Sequence, residues 1–395
     1  MQLFDKDLLS VQEVRGLVSA AKEAQAELAG KTQEEVDRIV KSIADAGVRN
    51  AARLAVMANE DTGFGIVADK VVKNVFGSYN VYQAIKDMKT IGVIDRNDEK
   101  GLVTIAVPLG VVAGIVPSTN PTSTVFFKSE IAIKSGNAIV FSPHPSALRC
   151  IQEAVKVIRQ AIAEVGGNEN LVSVISIPTR QATETLMTHP DTAMILATGG
   201  SAMVHAAYSS GNPAIGVGPG NGPAYLEKTC DLPLAVKRIM DSKTFDNGTI
   251  CASEQSIICE ESYKPAVQAE MEKQGHKVFP ISAATKKGIS DVLKYTMEVL
   301  SNMPEDEDVD DYEMYDSEMM KQSDEIKVIK TEDAYEVEGL KARKLVGSTN
   351  FDDYESLQYF QRALIKSGII RMLEDAGINE GDTVRIYGVE FDFVK

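Results

Sequence analysis

No CxxC pair occurs among the four cysteines, Cys150, Cys230, Cys251 and Cys259. No apolar run approaches the ~20 residues that a helix needs to cross a bilayer. Nor is there a surplus of positive charge: 41 Lys and Arg stand against 57 Asp and Glu, for a formal net charge of −16. Each absence excludes something. Thiols with neither paired spacing nor a secretory leader read as reduced cysteines of a cytoplasmic protein, not as a disulfide framework. The opening MQLFDKDLLSVQEV is acidic and has no continuous apolar segment, so secretion is not expected. A membrane span is not expected either, and the charge argues against a basic face for nucleic acid.

What is present is a chain of 395 residues, 44% of them apolar, which suffices for two or three domains with a large core. Its charge is uneven. Residues 280–395 hold 14 basic and 26 acidic side chains, whereas residues 1–279 hold 27 and 31. Such a step marks a domain boundary.

Apolar residues recur at helical spacing through residues 10–60 (Val14, Leu17, Val18, Ala21; Val36, Ile39, Val40, Ile43) and again over 66–85. Residues 102–108, 110–116, 137–141, 171–175 and 193–197 read as strands, and the later ones alternate with helices. Residues 110–116 are almost wholly apolar, as expected of a strand buried on both faces. The alternation predicts an α/β fold, a doubly wound and mostly parallel sheet with helices on both sides. After Val278 the pattern changes to one amphipathic helix ending near Leu300 and an acidic run over 304–311, read as a solvated linker. A small α+β unit follows, with a strand at 335–337, helices over 356–366 and 370–376, and strands over 383–386 and 390–394.

Three segments are candidates for chemistry. In Phe245-Asp246-Asn247-Gly248-Thr249-Ile250-Cys251, a cysteine follows a glycine-containing turn. A free cysteine is commonly a core residue. One placed just past a turn can instead be offered to a cleft, where backbone N–H groups stabilise a thiolate or an oxyanion. The loop Gly216-Val217-Gly218-Pro219-Gly220-Asn221-Gly222 does not fit GxGxxG in any register and serves equally as a close approach of two backbones. Thr198-Gly199-Gly200-Ser201 follows a strand and opens a helix, whose free N–H groups suit a pyrophosphate.

Taken in order, Gly110-Val111-Val112-Ala113-Gly114-Ile115-Val116-Pro117-Ser118-Thr119-Asn120-Pro121-Thr122-Ser123-Thr124, Ser142-Pro143-His144-Pro145, Ala197-Thr198-Gly199-Gly200, the glycine loop and Phe245 to Ser253 resemble the CoA-acylating branch of the aldehyde dehydrogenases over residues ~1–275. The resemblance implies oxidation of a short-chain aldehyde to acyl-CoA, with NAD as cofactor and CoA as co-substrate. It implies that Cys251 attacks the aldehyde carbon. Asn120 and the Cys251 backbone N–H would hold the oxyanion. Ser142, with Pro143, stands where the hydrolytic branch carries a ribose-binding lysine. Thr198, Gly199, Gly200, Ser201, Gly218 and Gly220 are the further cofactor-binding candidates. Val217 or Gly218 occupies the place of the hydrolytic branch's general-base glutamate. Its absence suits an attacking thiol, which needs less activation than water. Read as residues alone, Asn120 equally suits an Asx-type turn, Ser142 and Ser201 equally suit helix N-caps, and His144 equally suits a loop position with no role.

A second resemblance covers residues ~278–395. Val278-Phe279-Pro280-Ile281-Ser282-Ala283-Ala284 looks like the end of the G domain of Obg-type GTPases. The stretch Gly347-Ser348-Thr349-Asn350-Phe351-Asp352-Asp353-Tyr354-Glu355-Ser356-Leu357-Gln358-Tyr359-Phe360, with Gly381-Asp382-Thr383-Val384-Arg385-Ile386, looks like the Obg C-terminal domain. GTP binding is not implied: the best decoy for a P-loop, Gly30-Lys31-Thr32, has Gln25 where the first glycine belongs. The expected organisation is therefore an NAD-binding domain over 1–242, a truncated catalytic fragment over 243–277, a G-domain helix fragment over 278–303, an acidic linker over 304–329 and an Obg C-terminal-like domain over 330–395. The join falls inside a domain of both parents, which predicts a chimera formed by recombination or assembly, with impaired dehydrogenase activity. A homo-oligomer is compatible with the first parent. The alternative function is a non-catalytic dinucleotide-binding protein, or a ribosome- or stress-associated interaction protein whose ribosome contact runs only through the C-terminal domain. No metal site is expected.

Overall fold

The computed structural model describes residues 5–282, 284–303, 326–331, 334–339, 342, 345–346, 349, 360–365, 367–387 and 389–393. The acidic run at 304–311 lies outside them, as do residues 350–359 of the Obg-like motif and both ends of the helix expected at 356–366. The chain forms two units, residues 1–309 and 310–395.

The first unit opens with two long helices, α1 (Lys6–Ala29) and α2 (Gln33–Thr62). The break between them is written in the sequence. Thr32 caps α2, accepting from Glu35 N–H while the Glu35 carboxylate takes the Thr32 N–H. Gly63, at φ 67°, ends the helix in the left-handed conformation that suits glycine. Next come α3 (Val67–Val75), one wide π-type turn over Phe76–Asn80, and α4 (Val81–Ile85). Strands β1 (Gly92–Asn97) and β2 (Leu102–Ala106) then pair as an antiparallel hairpin.

The remaining elements build the sheet that sequence periodicity anticipated. They are β3 (Val111–Val116), α5 (Pro121–Lys134), β4 (Ala138–Pro143), α6 (Leu148–Glu164), β5 (Val172–Val174), α7 (Arg180–Thr188), β6 (Thr192–Thr198), α8 (Ser201–Tyr208) and β7 (Ala214–Val217). All five strands are parallel, in the order β5-β4-β3-β6-β7. Every residue of β3 and β4 is buried, which explains why only Ser142 interrupts their apolar character. Helix α2 packs with α5 and α6, and α1 with α7 and the strands β3, β4 and β5. The core runs through both layers.

The strand order fixes where a ligand fits. From β3 the chain winds outward through β4 to β5, then returns past β3 to β6 and winds the other way. The loops leaving β3 and β6 therefore diverge, and the crevice at their carboxyl ends is the topological switch point of the sheet. Asn120 follows β3, and Gly199 and Gly200 follow β6.

Beyond β7 the chain crosses to a separate parallel pair, β8 (Gly222–Leu226) with β9 (Glu254–Cys259). Between these lies α9 (Leu232–Thr244), and after them α10 (Lys264–Lys273). Helix α11 (Ile289–Ser301) has no buried residue, and Leu293, Met297 and Leu300 on it are exposed.

The second unit has its own four-stranded sheet, β10 (Lys327–Lys330), β11 (Tyr335–Glu338), β12 (Thr383–Ile386) and β13 (Val389–Asp392), in that order, with only β11 and β12 parallel. Helix α12 (Ile369–Asp375) and the helical residues 360–365 cover it, around a core of Tyr335, Val337, Phe360, Leu364, Leu373 and Val384. Strand β10 begins at Lys327, inside the stretch expected to be linker.

Candidate active site

Cys251 is exposed, on the turn between α9 and β9. It contrasts with Cys150, which is buried and whose thiol is pushed up by desolvation. The turn is shaped by three successive residues with positive φ: Asp246 at 50°, Asn247 at 54° and Gly248 at 74°. Asp and Asn are the non-glycine residues that best tolerate this region. The run reverses the chain just before the cysteine.

The glycine loop lies against that turn. A β-carbon on Gly220 would stand 1.9 Å from the Cys251 carbonyl oxygen, so no side chain fits there. Gly216 is hemmed by Val204 and Tyr208, and its N–H donates to the Tyr208 hydroxyl at 3.0 Å. The loop therefore joins the nucleotide-type sheet to the cysteine turn, the close-approach role left open by its sequence. Gly218 has no comparable crowding.

Asn120 ends the loop after β3, as the residue preceding α5. Its Nδ2 donates to the Thr249 carbonyl at 3.3 Å and to Thr119 Oγ1 at 3.2 Å, and its Oδ1 accepts from Lys73 Nζ at 2.6 Å. It makes no capping bond to α5, so the Asx-turn alternative is not what the side chain does. The fold thus ties Asn120, 131 positions away in sequence, to the backbone two residues before Cys251.

Below this pair lies a buried ionic cluster that reading the sequence did not find. Asp246 is fully buried. Its Oδ1 accepts from Ile66 N–H at 2.6 Å, while Oδ2 accepts from Lys73, from Lys70 at 3.3 Å and from Thr249 Oγ1 at 2.7 Å. Lys70 also donates to the Thr119 carbonyl at 3.1 Å. Burial works to raise the Asp246 carboxyl, but the bonds from Lys73, Ile66 N–H and Thr249 win and hold it below the usual carboxylate range. Burial lowers Lys73, against the pull of Asp246. A further buried lysine, Lys128 on α5, donates to the carbonyls of Ile115 on β3 and Leu196 on β6, each at 2.7 Å, and burial pushes it down to about 7.

The cofactor candidates divide. Thr198 closes β6, Gly200 precedes α8, and Ser201 is its first residue; Ser201 is therefore not the cap. A β-carbon on Gly200 would meet nothing within 4 Å, and one on Gly199 only the Met203 side chain. The backbone here is uncrowded and sits at the N-terminus of α8. Ser142 and Pro143 are the buried end of β4. Ser142 Oγ pairs with Thr183 Oγ1 at 2.8 Å inside the fold. Ser142, one of the cofactor-binding candidates, thus has its hydroxyl bonded to Thr183, and it is not an N-cap. His144 caps the short turn after it, accepting from Ser146 N–H, and burial lowers its pKa.

A doubly wound sheet with an exposed cysteine and an amide at its switch point defines the class, and the comparisons agree: residues 5–287 match the aldehyde dehydrogenase family, and the chain belongs to it. The bifunctional aldehyde-alcohol dehydrogenase AdhE of Escherichia coli K12 is 46% identical over 284 residues, which are 72% of this chain and 32% of that protein. A probable aldehyde dehydrogenase from Listeria monocytogenes is 60% identical with a TM-score of 0.68, covering 71% of this chain and 61% of that one. An acetylating aldehyde dehydrogenase from Geobacillus thermoglucosidasius is 54% identical with a TM-score of 0.67, covering 69% and 60%. The chain thus spans about a third of AdhE and about three fifths of the two solved structures. Residues 325–393 match a second family, described as a domain of unknown function, DUF1967. Among the described residues no helix is long and apolar enough to cross a membrane.

Proposed function

We propose that the first unit performs the cysteine chemistry of an acylating aldehyde dehydrogenase on a short-chain aldehyde. The observation that carries this reading is an exposed Cys251 whose turn is bonded to Asn120 at the switch point of the sheet. The Cys251 thiolate attacks the carbonyl carbon, and the carbonyl oxygen takes up negative charge. Asn120 Nδ2–H and the Cys251 N–H supply donors to that oxygen. The open backbone at Gly199 and Gly200, with the start of α8, binds the diphosphate of NAD, whose nicotinamide accepts the hydride when bound. The resulting thioester on Cys251 is then released by the thiol of CoA. Such transfer from sulfur to sulfur needs no carboxylate to activate water.

The aldehyde dehydrogenase match stops at residue 287 and another family begins at 325, so much of the relatives' length has no counterpart in the matched segment. We infer that turnover by this chain falls well below that of its full-length relatives. The second unit has a core of its own, and its Gly381 to Ile386 motif resembles the Obg C-terminal domain. We assign it as an interaction module joined to the dehydrogenase segment.

The test is direct. On incubation with acetyl-CoA, mass spectrometry should find an acetyl group on Cys251 that disappears in Cys251→Ala. Calorimetric titration should show NAD binding. Failure of both overturns the dehydrogenase reading. Robust CoA-dependent NADH formation from acetaldehyde, lost in Cys251→Ala, overturns the impairment alone. Co-sedimentation with ribosomes checks the second unit.

A further inference from the structure

We propose that Lys73 is a positioning residue for the oxyanion donor: it fixes the amide of Asn120 so that Nδ2 faces the cysteine turn, and strengthens that N–H as a donor. This rests on the function proposed for Cys251 and Asn120 and adds a residue to it.

The geometry is specific. An ammonium has three donors and no acceptor. Those of Lys73 have three acceptors within reach, Asp246 Oδ2, Asn120 Oδ1 at 2.6 Å and Thr249 Oγ1 at 3.1 Å. An amide side chain has two orientations that differ only by exchange of oxygen and nitrogen. Against an ammonium only the oxygen can be accepted, so Lys73 selects one of them. In that orientation Nδ2 meets the Thr249 carbonyl at 3.3 Å, two residues before Cys251. One amide hydrogen goes to that carbonyl, and the other to Thr119 Oγ1 at 3.2 Å, a rotatable hydroxyl that a substrate oxygen displaces. A cation on Oδ1 also draws electron density out of the amide. This makes that N–H a better partner for developing negative charge.

A purely structural role would place Lys73 there only to neutralise Asp246. Asp246 has a second cation, Lys70, whose Nζ lies 3.3 Å from the same oxygen. The carboxylate therefore stays paired without Lys73. Asn120 Oδ1, in contrast, accepts from no other donor among the described residues. Lys73 also sits next to the point where α3 gives way to the π-type turn. There Gly77 allows close approach to the backbone of Ser123 at the start of α5, where an added β-carbon would meet the Ser123 oxygen at 2.8 Å. The contact brings the helix carrying Lys73 and the loop carrying Asn120 to bonding distance.

The experiment compares two reactions of Cys251 in the full-length chain, with no requirement for NAD, CoA or turnover. In the first, p-nitrophenyl acetate acylates the thiolate. The sulfur–carbon bond forms, the aryl ester bond breaks, and p-nitrophenolate leaves through a tetrahedral intermediate that needs the oxyanion donor. In the second, iodoacetamide alkylates the same sulfur by displacing iodide, with no oxyanion. Lys73→Met is expected to slow acylation about ten-fold, on the scale of an oxyanion donor made less effective rather than removed, and to leave alkylation within about two-fold. Asn120→Ala should slow acylation further, and adding Lys73→Met to it should have no additional effect on the ratio of the two rates. If Lys73→Met proves too unstable to purify, Lys73→Gln, which keeps a donor but loses the charge, gives the same comparison against Lys73→Arg. An unchanged ratio in the Lys73 variants, or additive losses in the double variant, overturns the inference. A burst that persists in Cys251→Ala instead overturns the underlying assignment of the nucleophile, so the two failures are distinct.

Discussion

Gly220 and Cys251 are in backbone contact, close enough that a β-carbon on the glycine would lie 1.9 Å from the cysteine carbonyl oxygen. Backbone cannot yield as a flexible side chain can, so Gly220→Ala must push the Cys251 turn away from the glycine loop. Acylation of Cys251 by p-nitrophenyl acetate should fall by about ten-fold or more, since small displacements at a reacting centre are costly. Stopped-flow measurement of the p-nitrophenolate burst checks it.

Gly16 gives the opposite case. It lies on α1, and a β-carbon there would meet nothing within 4 Å. Gly16→Ala should raise stability by about 0.5–1 kcal/mol, the helix-propensity gain, visible as a higher urea midpoint. The burst at Cys251 should stay as it is.

Asp246 compensates two buried ammonium groups at once. Asp246→Ala leaves both without a counter-ion, and should destabilise the first unit by about 3–5 kcal/mol. Acid should act in the same direction. The carboxyl is held below its ordinary value of 3.8, so its contribution is present above that pH and is lost as pH falls through the lower, folded value. The hydrogen-exchange protection factors of residues 244–253 should therefore fall selectively on acidification toward and below that value. An unchanged exchange pattern in the turn would contradict this.

Glu130 behaves in reverse. It is fully buried on α5, neither carboxyl oxygen has a hydrogen-bond partner among the described residues, and desolvation pushes it up to about 9. Its folded form is protonated where the unfolded chain is ionised. Stability is therefore complete below the ordinary value of 4.5 and is lost progressively as pH rises toward about 9. Glu130→Gln should stabilise the chain by about 1–3 kcal/mol near pH 7, as expected on removing a buried ionisable group. The gain should shrink toward zero near pH 4.5. Melting curves of the two proteins across that range provide the check.

The sheet was legible because its strands are written as apolar runs punctuated by turns. Val111 to Val116 could hardly be anything but a strand buried on both faces. The strands β1, β7 and β8 were not read, since Ala214 to Val217 and Gly222 to Leu226 are short and rich in small residues, and owe their extension to neighbouring strands. Cys251 and the glycine pair after β6 were singled out by their turn and strand-to-helix context, and Asn120 by the family resemblance. Lys70, Lys73 and Lys128 were not. A lysine on a helix normally reads as a solvated face, and only Asp246, more than 170 positions downstream, reveals that two of these are enclosed. Ser142 was read for its place in the strand-to-helix loop, and no local pattern announces that Thr183 will occupy its hydroxyl.

Strands β8 and β9 hydrogen-bond only to each other among the described residues, and Tyr225 and Ile258 on them are exposed. A parallel ribbon of two strands has two free margins, each a row of unused donors and acceptors that can template further strands. Purified material should therefore thicken into multimers as its concentration rises. Gatekeeping substitutions at those margins, Tyr225→Lys or Ile258→Lys, would be the natural first step toward a soluble preparation.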